Sequence, residues 1–192
     1  MQRLSDEQLL DAVIAGEMAA LAILVERYQH VLTGYLDQLV GSDWALAQGL
    51  AQETFLRVLR QHTSRGDRAF KPWLYTIATN LARDHFKASA TRLSTPSASE
   101  HEVGIPDGLP GPEESVLRGE QRSTLVAALN QLGLEYRTML WLRFYCDLSL
   151  QEIADTLDIP LGTVKWRLST GLRRLRECLA SSADVCIKGG DL

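Results

Sequence analysis

The stretch LSLQEIADTLDIPLGTVKWRLSTGLRRLRECL, residues 148–179, decides the fold. It reads as two helices joined by a tight turn. Ser149 is a good N-cap, and Glu152 three residues on completes a capping box. Ile153, Ala154 and Leu157 give the first helix an apolar face. Asp158-Ile159-Pro160 ends it, because proline cannot continue the hydrogen-bond ladder. The second helix starts near Gly162. Val164, Leu168, Leu172, Leu175 and Leu179 recur at steps of three and four, one helical stripe. Thr163, Trp166, Arg167, Thr170, Arg173 and Arg174 are expected on the other side.

Such a pair suits a helix-turn-helix whose second helix enters a DNA major groove. Ala154 is small enough to sit where the helices cross, with Val164 packed back on it. From Leu161 to Cys178 five basic residues stand against one acid, in a chain of net charge −4. This local reversal of charge favours a phosphate-facing surface. The competing reading is an antiparallel helix pair with a solvated basic face.

Working outward, the chain has 192 residues, enough for one domain or two small ones, and 45% apolar content, ample for a core. No apolar run is long enough to span a membrane and no secretory signal is recognisable, so a cytoplasmic location is expected. The three cysteines, Cys146, Cys178 and Cys186, form no CxxC pair, which disfavours a disulfide framework or structural zinc. A sensing role for Cys178 and Cys186 is the minor alternative to plain reduced thiols. Phosphate-cradling glycine loops, HExxH and GxSxG are absent, and no enzyme is expected.

Upstream, every patterned stretch is helical. Ser5 to Gln8 is a capping box followed by Leu9, Leu10, Val13 and Ile14, with a break at Gly16. Helices are expected from Met18 to Val40, from Trp44 to Gln61 and from Trp73 to about Ala88, the last after a polar loop at 62–71. From Thr91 to Pro112 the chain holds four of its six prolines, and 91–120 has six acids against two bases. That segment reads as a flexible acidic linker that keeps two domains apart. Two further helices, Val116 to Leu132 and Glu135 to Cys146, should cradle the helix-turn-helix. The expected fold is all-α. A helical domain spans 1–90, the linker 91–112, a helix-turn-helix domain 113–180 and a short tail 181–192.

Three stretches, QETFLRVLR (52–60), FKPWLYTIATNLARDHFKA (70–88) and LSLQEIADTLDIPLGTVKWRL (148–168), together resemble the extracytoplasmic function (ECF) sigma factors of the sigma-70 superfamily. These are small bacterial transcription initiation factors. The resemblance implies a sigma2-like domain and a sigma4-like domain, with core RNA polymerase and promoter DNA as partners and no cofactor. Gln52, Glu53, Phe55, Leu56 and Arg57 would dock on the β′ clamp helices, and the second domain would meet the β flap. Arg65, Arg68, Lys71, Trp73, Asn80, Arg83, Asp84 and Lys87 would bind the minus-ten element and help melt it; Trp73 reads equally well as a strand-separating aromatic or a core residue. Thr163, Lys165, Trp166, Arg167, Thr170, Arg173 and Arg174 would bind the minus-thirty-five element. The family also implies an anti-sigma partner, which can sequester the chain at the inner membrane, in a stress, envelope or metal response.

The chain departs from the family pattern in three places. Ala47 to Ala51 carries no acid where acids usually precede the QETF motif. Thr170 and Gly171 stand where a base and an alanine are common, and Gly171 costs about 1 kcal/mol in helix propensity. Trp166 replaces a small polar residue.

Overall fold

The structure is a computed structural model and describes residues 4–41, 43–61, 65–92 and 124–188. Its first half is four helices: α1 (Asp6–Ile14), α2 (Met18–Val40), α3 (Trp44–Gln61) and α4 (Phe70–Arg92). The Ser5 capping box forms as expected, with Ser5 Oγ accepting from the Gln8 N–H and Gln8 Oε1 from the Ser5 N–H. Gly41 ends α2 in the left-handed region at φ 77°, a conformation that costs glycine little. That turn folds α3 back along α2.

Aromatic residues fix α4 in this bundle. Tyr28 meets Phe70 edge-on, Phe70 meets Trp73, and Tyr35 meets Tyr75 with ring centroids 5.3 Å apart. The Tyr35 and Thr79 hydroxyls are hydrogen-bonded at 2.8 Å, which satisfies both in a buried seam. α4 starts earlier and ends later than the expected Trp73–Ala88. Glu7 of α1 accepts from the Phe70 N–H, which supplies a start signal from a distant part of the chain. Pro72 falls in the first turn, where its missing N–H has no intrahelical partner to lose. Thr91 and Arg92, read as linker, belong to this helix. The remaining linker and the start of the helix expected from Val116 lie outside the described residues.

The second half comprises α5 (124–130), α6 (Leu134–Leu140), α7 (Leu150–Leu157) and α8 (Leu161–Lys188). α6 does not run on as a regular α-helix to Cys146. Trp141–Tyr145 is a π-helical turn, with the Cys146 N–H returning to the Trp141 carbonyl. The helix-turn-helix forms as read. Ser149 and Glu152 complete their capping box, and Asp158 ends α7 at φ 55°. Ala154 and Val164 are both buried in one cluster. α8 extends past the expected domain end at 180, so the tail begins as helix. Among the described residues no strand occurs, and no helix is long and apolar enough to cross a membrane.

The two halves are not apart, as the linker reading expected, but packed together. One buried cluster contains Leu36, Leu74, Tyr75 and Ala78 of the first half with Leu142, Leu148, Ile153 and Leu157 of the second. The apolar face of α7 is wide enough to cover both its own domain and α4, so hydrophobic burial draws the halves together.

Candidate polymerase and nucleic-acid interface

α3 separates its motif residues by helical phase. Thr54, Phe55 and Val58 point into the core, whereas Gln52 is exposed and Leu56 is 44% exposed. Glu53 lies 3.4 Å from Arg57 and 3.9 Å from Arg60. Phe55 is 7% exposed and so holds the helix in place rather than offering a contact. The remaining surface is an exposed leucine beside Gln52 and the Glu53 cluster, a mixture of apolar and polar groups that suits docking.

The loop before α4 is cross-linked by its own arginines. Arg65 donates to the Arg68 carbonyl, and Arg68 Nε to the Arg65 carbonyl at 3.2 Å. Gly66 turns the chain there at φ 59°. On α4 the minus-ten candidates divide. Asn80, Asp84 and Lys87 share one exposed face at helical spacing. Trp73, 3% exposed and against Phe70, is a core residue, which decides between its two readings. Lys71 is half-buried in a cleft with Asp6, Tyr28, Tyr145 and Cys146. Arg83 donates Nη2 to the Leu157 carbonyl of α7 at 2.9 Å.

α8 presents a row that differs from the expected set. Lys165, Trp166, Ser169, Arg173 and Arg176 are exposed along one side, Trp166 at 60%. Thr163 in the first turn is half-buried. Thr170 is 9% exposed, so its expected DNA contact is corrected to a packing role. Arg167 is half-buried and lines a cleft shared with Arg83. Arg174 lies over the Tyr136 ring, 4.6 Å from its centroid, a cation–π contact that anchors its head group. Ser169 and Arg176 were missed by the sequence reading. Steps of four from Lys165 to Ser169 to Arg173, and of three to Arg176, were available to find them.

Burial shifts several ionisable groups, among them Cys146 and Asp37. The Cys146 thiol is pushed up to about 12, which leaves it protonated and chemically quiet. The Asp37 carboxyl is raised by burial in the last turn of α2, with Asp43 adding to the effect. Among the described residues no group of three or more His, Cys, Asp or Glu side chains could hold a metal ion. Cys178 is half-buried, and Cys186 lies outside the described side chains.

A helical bundle carrying an exposed mixed face, joined to a helix-turn-helix with a basic outer row, defines a DNA-binding protein built to meet a second macromolecule. Residues 24–92 match the family model for sigma-70 region 2 and residues 128–177 that for sigma-70 region 4. The chain is 35% identical to the RNA polymerase sigma-H factor of Pseudomonas aeruginosa, over 85% of this chain and 88% of that one. It is 30% identical to the ECF RNA polymerase sigma-E factor of Escherichia coli K12, over 97% of this chain and 98% of that one. The chain belongs to the ECF sigma factors of the sigma-70 superfamily. Its fold is similar to that of CnrH in complex with the cytosolic domain of CnrY, with a TM-score of 0.63 at 19% identity over 92% of this chain and 97% of that one. A sigma factor RpoE in complex with the anti-sigma factor NepR from Bartonella quintana gives a TM-score of 0.60 at 22% identity, over 78% of this chain and 89% of that one.

Proposed function

We propose that the chain binds core RNA polymerase, directs it to particular promoters and helps to open the minus-ten region. The observation that carries this reading is the row of Lys165, Ser169, Arg173 and Arg176 along the exposed side of a capped helix-turn-helix. That row reads the minus-thirty-five element as duplex, with Trp166 covering sugars or thymine methyls. A bidentate arginine–guanine pair contributes roughly 1–3 kcal/mol of discrimination, and the other cations hold phosphates.

Gln52, Glu53, Leu56 and Arg57 form the polymerase-docking face on α3, with Phe55 behind them. Arg65, Arg68, Asn80, Asp84 and Lys87 form the surface for the opened minus-ten strand, with Lys71 and Arg83 beside them on α4. Unstacking a base costs a few kcal/mol, and stacking with edge hydrogen bonds offsets that cost. No covalent chemistry is assigned to this chain; the polymerase makes the phosphodiester bonds.

Two proteins of similar fold carry partners named as a cytosolic domain and an anti-sigma factor. We infer the same style of control here, with the chain working in the cytoplasm and held at the inner membrane when its partner is membrane-bound. The direct test is co-elution of the purified chain with bacterial core polymerase in stoichiometric amount. A folded, inhibitor-free chain that elutes apart from the polymerase would turn the reading to a free-standing helix-turn-helix regulator.

A further inference from the structure

Gln38 Nε2, Arg137 Nε and Trp141 Nε1 are each enclosed, and among the described residues none has a hydrogen-bond partner. A buried N–H without an acceptor loses its water with no replacement, so native chains carry few of them. Three of the four such side-chain atoms among the described residues belong to residues that line a single cleft. Gln38 comes from the last turn of α2, Arg137 from α6, and Trp141 opens the π-helical turn. Gln38 and Trp141 are 4% and 8% exposed. The Trp141 ring is held by stacking on Tyr145, with centroids 4.5 Å apart.

The rest of the cleft is apolar. Leu129 of α5, Leu140 of α6, Phe144 of the π-helical turn, and Leu172 and Leu175 of α8 line a space of about 200 Å³. Phe144 is exposed, so the cleft reaches the surface. Pockets for drug-sized ligands run from about 300 to 1,000 Å³, so an occupant here is small. Arg137 Nη1 donates to Asn130 Oδ1 at 3.4 Å, which leaves its Nε over. Burial lowers the Arg137 pKa, and no carboxylate among the described residues offsets that. The cleft therefore combines apolar walls with a surplus of donors and one uncompensated positive charge.

We propose that this cleft is a binding site for a small carboxylate with an apolar body, such as a medium-chain aliphatic acid. The carboxylate accepts from Trp141 Nε1, Gln38 Nε2 and Arg137 Nε, and its two oxygens offer about four lone-pair sites for them. The bond to the guanidinium is charge-assisted and the strongest of the three. The hydrocarbon lies against the leucines and Phe144, where its removal from water drives binding. A ligand amine would fail on both counts, because it adds donors to donors and repels Arg137. The site stands apart from the sigma-factor reading, since binding is measured on the chain alone.

The test follows the indole N–H resonances of Trp44, Trp73, Trp141 and Trp166 by proton–nitrogen correlation NMR on the full-length chain, with Trp141→Phe assigning its peak. Octanoate is the probe, acetate supplies the head group alone and 1-octanol the chain alone. Octanoate should move the Trp141 indole downfield and saturably, while the other three barely shift. Acetate and 1-octanol should each bind at least about tenfold more weakly. Gln38→Leu and Arg137→Met should each weaken octanoate by about tenfold, with dispersed spectra showing that they fold. If either variant unfolds, the wild-type series with its two controls decides. No saturable shift at Trp141, 1-octanol binding as tightly as octanoate, or unchanged affinity in both folded variants would overturn the site. Absence of octanoate binding, with Phe144→Ser abolishing co-elution with core polymerase, would assign the cleft to a protein partner and overturn the carboxylate site.

Discussion

Gly171 of α8 lies directly against Tyr136 of α6: a methyl group at 171 would stand 3.3 Å from the Tyr136 Cβ. The residue that helix propensity marks as a weakness is therefore where α8 packs closely on α6. Arg174 lies over the same tyrosine ring, and Trp166 has its ring centroid 6.3 Å from it. Tyr136 thus ties the basic helix to its support.

Replacing Gly171 tests that contact. Gly171→Ala gains about 1 kcal/mol of helix propensity and loses a similar amount to crowding, so its denaturant midpoint should stay near wild type. Gly171→Leu should destabilise by about 1–3 kcal/mol through overpacking. A Leu variant as stable as wild type would show that α8 does not cross α6 here.

On α3 the outward and inward motif residues should behave differently. Leu56→Arg should abolish co-elution with core polymerase while leaving the thermal midpoint close to wild type. Phe55→Ala should cost about 3–5 kcal/mol of stability, because a buried ring is removed from a packed core. Equal loss of stability in both variants would place Leu56 in the core and remove it from the docking face.

Along α8 the exposed row predicts which cations DNA feels. Arg173→Ala and Arg176→Ala should each flatten the dependence of promoter affinity on salt by roughly one unit of log–log slope. Thr170→Ala should leave that slope unchanged, since its side chain is buried. A slope altered by Thr170→Ala but untouched by Arg176→Ala would reverse the assignment of the two faces.

Asp37 gives a pH signature. Its carboxyl is raised by burial and by Asp43, so ionisation is resisted in the folded state. The stability associated with the protonated form is present below the ordinary carboxylate range and is lost as pH rises through the raised value. Asp37→Asn should therefore melt higher than wild type at neutral pH, with the difference shrinking towards acid. A difference that grew on acidification would mean a carboxyl favoured in its charged form.

Particular residues show what the sequence could and could not disclose. The helix starts at Ser5 and Ser149 were legible because their caps are local, within three residues of chain. The stripe of Val164, Leu168, Leu172 and Leu175 was legible because periodicity fixes which side of a helix is apolar. Thr170 was misread because its burial depends on neighbours that tertiary packing brings, and local pattern carries no record of which neighbour arrives. Arg83 sits at good spacing with Asn80 and Lys87, yet its partner is a carbonyl 74 residues away. The packing of the halves escaped notice for the same reason. The acidic composition of 91–120 says what that segment avoids, not what the apolar face of α7 seeks.

The most direct test of the central claim is transcription from genomic fragments by core polymerase with and without this chain, with start sites mapped. The account predicts new, discrete start sites that need the chain. They should share upstream sequence near minus ten and minus thirty-five, and Leu56→Arg should remove them. Start sites identical with and without the folded chain, or new ones that persist with Leu56→Arg, would contradict it.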